Sequence, residues 1–170
     1  MNGFPAVYVG VDPGSSSGAF AMAHKIHGRW VVDAYNMPDN FRDIWEFFRD
    51  FRHDDFTVTV EDVGASMPGN SAKSSRTFAE HVGALKMMLI AANLHHTFVP
   101  PKRWMKDLFG DKVPKAPKGS DAKTKAAFKK QRKQFIYDEM KKEWPGCDFS
   151  LRQADAVAIL LWNLKKAGLR

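Results

Sequence analysis

The 170-residue chain is long enough to bury a core as one domain, and its 44% hydrophobic and 12% aromatic content excludes wholesale disorder. The formal net charge of +7 is concentrated: residues 101–145 hold 14 Lys and Arg against 6 Asp and Glu, and the rest of the chain 12 against 13. Such asymmetry favours a polyanionic partner, most simply nucleic acid, over a merely solvated basic face. No run approaches the roughly 20 apolar residues that span a bilayer. The N-terminus leads straight into a strand instead of a signal peptide, and the single Cys147 fits a reducing, cytosolic compartment.

Three strand-like runs open the chain at 6–11, 18–24 and 29–36, separated by Pro13-Gly14-Ser15-Ser16-Ser17 and His27-Gly28, so a meander of two hairpins is expected. A helix follows, capped by Asp39 or Asn40, with Phe41, Ile44, Trp45 and Phe48 at helical spacing. The β-branched alternation of 56–61 predicts a fourth strand. Residues 63–76, rich in Gly, Ser and Asn and without apolar period, read as a substrate-facing loop. A long helix is expected over 77–94, with Phe78, Val82, Leu85, Met88, Leu89 and Ala92 at core spacing.

A short fifth strand over 96–99 leads into Pro100-Pro101, where a brief helix with Trp104, Met105 and Leu108 begins. Residues 111–120 read as a basic loop. A charged helix over 122–143 has a sparse apolar stripe of Phe128, Phe135, Ile136 and Met140, and a last helix is expected over 150–167. The order is βββαβαβ followed by helices, one domain without repeat or linker.

Two carboxylates end two of these strands, Asp12 before Pro13-Gly14 and Glu61 after Val60. A third, Asp155, sits in Ala154-Asp155-Ala156-Val157-Ala158, where the alanines predict close packing. Strand ends are where open α/β sheets build their sites. An acid on an apolar strand is costly to bury unless paired or metal-bound, although Asp12 can also cap a turn. Three converging acids can hold Mg²⁺. In a basic chain this points to metal-dependent phosphodiester chemistry.

The arrangement resembles the RuvC-like Holliday junction resolvases of the ribonuclease H-like superfamily, particularly the compact versions found in phages. Val9-Gly10-Val11-Asp12-Pro13-Gly14-Ser15 resembles the first acidic motif of that family, and Val60-Glu61-Asp62 with its loop and long helix the second. Val99-Pro100-Pro101-Lys102-Arg103-Trp104-Met105-Lys106 resembles the lead into its basic helix, and Ala154-Asp155-Ala156-Val157-Ala158-Ile159 its C-terminal motif.

The resemblance implies a ribonuclease H-like fold with a mixed five-stranded sheet, a homodimer through the 77–94 helix, and four-way DNA junctions as substrate. The expected chemistry is hydrolysis with two Mg²⁺ ions about 4 Å apart, for which Mn²⁺ can substitute. Asp12 would bridge both, Glu61 and Asp155 would hold one each, and 5′-phosphate and 3′-hydroxyl ends would result. The family often carries a further acid or histidine three residues before its last aspartate; here Arg152 stands there, and Asp148 is the candidate substitute ligand.

Lys130 and Lys133 are candidate catalytic cations. Lys129, Arg132, Lys102, Arg103 and Lys106, with Lys73 and Arg76, are candidate DNA contacts. Met67 is either a wedge between base steps or an exposed loop methionine. Rival readings are a ribonuclease H-type or flap nuclease, a non-catalytic junction binder, and an actin-like kinase or ATPase suggested by Asp12-Pro13-Gly14-Ser15-Ser16-Ser17-Gly18. The last needs two such domains.

Overall fold

Strand β1 (Val7–Asp12) pairs antiparallel with β2 (Ala19–Ile26), which pairs antiparallel with β3 (Arg29–Asn36). On its other side β1 pairs parallel with β4 (Phe56–Glu61), and β4 with β5 (His95–Val99), giving a five-stranded sheet of order β3-β2-β1-β4-β5. The computed structural model describes residues 7–14, 17–50, 56–64 and 71–170. The predicted order βββαβαβ followed by helices is observed.

The pleat sorts each strand's side chains between two cores. Val9, Val11, Val58 and Val60 face α1 (Phe41–Arg49) and α2 (Ala72–Ala91), packing with Ile44, Phe48, Leu85 and Leu89. The opposite face, with Ala19, Ala21 and Ala23, is covered by α5 (Ala154–Lys166), which packs against α3 (Pro101–Phe109) and α4 (Ala122–Glu143). Gly10 makes the close approach of α5 possible. A Cβ there would lie 2.4 Å from Ala156 O and Leu160 N, so the helix backbone rests directly on β1.

Three boundaries differ from the sequence reading by more than two residues. The helix expected over 77–94 begins at Ala72, within what reads as a loop, because Ser71 caps it: its Oγ accepts from Ser74 N at 3.1 Å. That first turn is mostly exposed and needs no apolar period. The same helix ends at Ala91, and Asn93 turns the chain with φ +54°. The last helix begins at Ala154, not at 150, since Gln153 Oε1 accepts from Ser150 N at 2.8 Å and holds the preceding residues in a turn. The first helix is capped by Asn40, whose Oδ1 accepts from Asp43 N at 2.9 Å.

Candidate active site

Asp12 and Glu61 end adjacent parallel strands whose register pairs Val11 with Val60. Residues two apart share a face, so Asp12 lies on the side of Gly10 and Glu61 on the side of Thr59, opposite the Val9–Val11 and Val58–Val60 core. That is the face α5 covers. Its first turn carries Asp155 to the same sheet edge, where all three acids line a cleft of about 880 Å³. The basic lining consists of Lys73, Lys102, Lys129, Arg132 and Lys133.

The acids hold their protons unusually tightly. Burial drives Glu61 to about 7 from 4.5, and the Asp155 charge adds to it, while a hydrogen bond from Trp104, with Arg132 and Lys133, pulls it back. Asp12 is raised well above the ordinary carboxylate range by burial and then by the charges of Glu61 and Asp155, against Lys133 and Lys129. Burial also raises Asp155, opposed first by Lys133, whose Nζ is 3.6 Å from Asp155 Oδ2.

The fold has counterparts among solved structures. Over 96% of this chain and 97% of the other, it superposes on a Thermus thermophilus RuvC structure with a TM-score of 0.53 at 15% sequence identity. A structure of T. thermophilus RuvC in complex with Holliday junction substrate matches with a TM-score of 0.57 at 13% identity, covering 96% of each chain. The chain has the RuvC fold. No family model matches it, and no curated protein matches it in sequence.

Within this RuvC-like frame the candidate residues separate. Asp12, Glu61, Asp155, Lys133, Lys129, Arg132, Lys102 and Lys73 line the cleft. Asp148 does not: it is exposed, beside Cys147, whose Sγ donates to Val32 O on β3, and so it is removed from the cleft as a ligand. Lys130 is exposed and does not line the cleft. Arg103 is exposed near Asp107, which binds Trp162 and Lys166 of α5. Arg76 pairs with Glu80 at 2.8 Å on the exposed side of α2, and Lys106 lines a neighbouring cavity instead. Met67 lies outside the described residues.

Arg152 does not enter the cleft. Its Nη2 donates to Gly18 O at 3.4 Å, just ahead of β2. The sequence reading treated Trp104 as an apolar residue of a brief helix, yet it is 1% exposed and its Nε1 donates to Glu61 Oε1 at 2.9 Å. The signal was present, because a buried indole N–H needs an acceptor. Trp104→Phe removes a bond to a charged acceptor, and the acidic limb of any Glu61-dependent rate profile should move up by about one pH unit. An unmoved limb in a pH–rate series contradicts this assignment.

Three oxygen-donor side chains with raised proton affinity and mutual repulsion match the donor chemistry of a hard divalent cation. Among the described residues, no three His, Cys, Asp or Glu side chains form a group that could hold a metal ion by themselves. Asp12, Glu61 and Asp155 line one cleft without closing into such a group.

Proposed function

We propose that this chain is a Mg²⁺-dependent, structure-selective DNA endonuclease that resolves four-way junctions by paired, symmetric nicks. The observation that carries the reading is the convergence of Asp12, Glu61 and Asp155 on one face of the sheet edge, in a cleft rimmed by five cations. The RuvC fold, shared with a protein solved in complex with Holliday junction substrate, supports the choice of substrate.

Asp12, Glu61 and Asp155 would hold the divalent ions. Bound there, the metal supplies Lewis-acid activation of water and neutralises charge on the phosphate. The chain's own groups do the rest. Lys133, half-buried with its Nζ 3.6 Å from Asp155 Oδ2, would place an ammonium beside the phosphate, where it can stabilise developing charge. Trp104 fixes the Glu61 carboxylate and favours its ionised form. Lys73 on α2, Lys102 on α3, and Lys129 and Arg132 on α4 track the sugar–phosphate backbone from three sides without reading bases.

Two copies related by a two-fold axis supply paired, symmetric nicks naturally. The helix that supports this is α2, whose Met87 and Ile90 are 64% and 58% exposed while Leu85 and Leu89 are fully buried. We assign that outer face to the dimer contact, to be checked by sedimentation of the wild type beside Met87→Lys.

The substrate assignment is tested by incubating the protein with a labelled immobile four-way junction, a linear duplex, a flap and an RNA–DNA hybrid, in Mg²⁺ or EDTA. Paired nicks at symmetric positions on the junction alone, absent in EDTA, are expected. Equal cutting of flaps or hybrids would replace the substrate. Binding without cutting in any metal would make the protein a junction binder.

A further inference from the structure

A second cavity, of about 660 Å³, opens beside the acid cleft between α3, residues 110–116 and α4. Helical spacing joins the two. Lys125, Phe128, Lys129 and Arg132 follow one another at i, i+3, i+4 and i+7 and line the second cavity; Lys129, Arg132, Lys133 and Ile136 repeat that spacing and line the cleft. One face of α4 thus runs continuously from Lys125 to Lys133, about 12 Å along the helix axis.

The chemistry of this cavity differs from that of the cleft. Its inner surface is apolar, from Met105, Val113 and Pro114. Its rim is basic, and its one acid, Asp111, is already paired with Lys115 at 3.1 Å. Phe128 stands at this surface although the sequence pattern assigns it to the buried stripe of α4. It is half-buried and belongs to neither hydrophobic core, unlike Phe135, Ile136 and Met140. An aromatic left out of the core beside a row of cations is the equipment of a base-stacking platform on a phosphate track. The volume lies within the range of small-molecule pockets.

We infer that this cavity receives one unpaired nucleotide of the DNA strand whose backbone lies in the acid cleft, its base against Phe128 and Met105 and its phosphate among Lys106, Lys125 and Lys129. The inference rests on the nuclease reading for the position of the strand, and adds to it a preference for DNA with an unpaired base near the cut. Fully paired duplex presents no base to the cavity. A branch point, where stacking is interrupted, releases one at lower cost.

The test is equilibrium binding in EDTA, by fluorescence anisotropy, to three otherwise identical DNAs: perfect duplex, duplex with a single-nucleotide bulge, and duplex with an abasic residue at the bulge. The wild type should prefer the bulge over both others. Phe128→Ala should lose at least about fivefold on the bulge, the scale of one base–aromatic stack, and change less than about twofold on duplex. Lys125→Gln, which leaves the apolar wall intact, should weaken the bulge complex in the same direction.

Equal affinity for base-containing and abasic bulges, or equal losses on bulge and duplex, would overturn the inference. Because no cutting is involved, the outcomes separate. Bulge preference in a protein that nicks no DNA keeps the cavity and removes the nuclease. Normal junction cleavage with Phe128→Ala indistinguishable from wild type on every DNA does the reverse.

Discussion

Asp12→Asn should abolish metal-dependent cleavage, by roughly three orders of magnitude or more, and at the same time raise the melting temperature of the metal-free protein at pH 8. The two effects share one cause. Asp12, Glu61 and Asp155 all have raised proton affinities because they are buried beside one another. Folding then favours their protonated forms. The stability associated with them is present below their unfolded pKa values and is lost as pH rises through the raised folded ones. For Glu61 the window runs from 4.5 to about 7, a penalty of about 3 kcal/mol once it is ionised.

Replacing Asp12 with a neutral isostere removes its own penalty and one of the charges bearing on its neighbours. The difference in melting temperature between variant and wild type should be several degrees at pH 8 in EDTA and shrink towards zero near pH 4. Mg²⁺ should then stabilise the wild type more than the variant, since a ligand that binds only the folded state adds to its stability. A variant less stable than wild type at both pH values would show that Asp12 is held by the protein rather than by a cation.

Gly10→Ala should be the most damaging small substitution in the sheet. The added methyl would meet Ala156 O and Leu160 N at 2.4 Å, both backbone atoms of a helix buried along its length, so neither can rotate away. Forcing α5 off β1 costs about 3 kcal/mol by the usual scale of overpacking, or roughly 6–12 °C in melting temperature for a chain of this size. It also moves Asp155 relative to Asp12. Misplacement by about 1 Å costs on the order of 100-fold in rate, so cleavage should fall even at temperatures where the variant is folded. Gly83, in the middle of α2, is the control: a Cβ there meets nothing within 4 Å. Gly83→Ala should stabilise by about 0.5–1 kcal/mol. Thermal melts and single-turnover rates on both variants check the pair.

Most of this architecture was legible because the relevant signals are local. The β-branched alternation of 56–61 and the turn at Gly28, where φ is +78°, fix β4 and the β2–β3 hairpin directly. The period-2 pleat then determines that Asp12 and Glu61 share a face, once the strands are parallel and in register. Ala154, Ala156 and Ala158 announced the tight packing of α5, although only the structure shows that Gly10 is its counterpart.

What failed to read was non-local or exposed. The first turn of α2 carries mostly exposed residues and thus no apolar period; its start is set by the Ser71 cap. Within the run of lysines on α4, identity says nothing about rotation. Lys133 faces Asp155 while Lys130, three residues earlier, is exposed away from the cleft. Asp148 has the right chemistry and the wrong location, because the chain turns at Trp144 and carries it towards Val32. The Trp104–Glu61 bond joins residues 43 apart in sequence: a buried indole N–H needs an acceptor, but no local pattern says which.

Together the three carboxylates would form a divalent-cation site. The most direct measurement is a Mn²⁺ titration at pH 6.5, with proton release recorded in a weakly buffered solution. Ions binding at acids that hold their protons tightly must displace them. Saturable binding with release of protons is expected, the release shrinking at pH 8.5, where Glu61 is already ionised, and binding lost in the Asp12→Asn, Asp155→Asn double variant. Binding with no proton release that survives the double variant would place the cation elsewhere and exclude a site on these three acids.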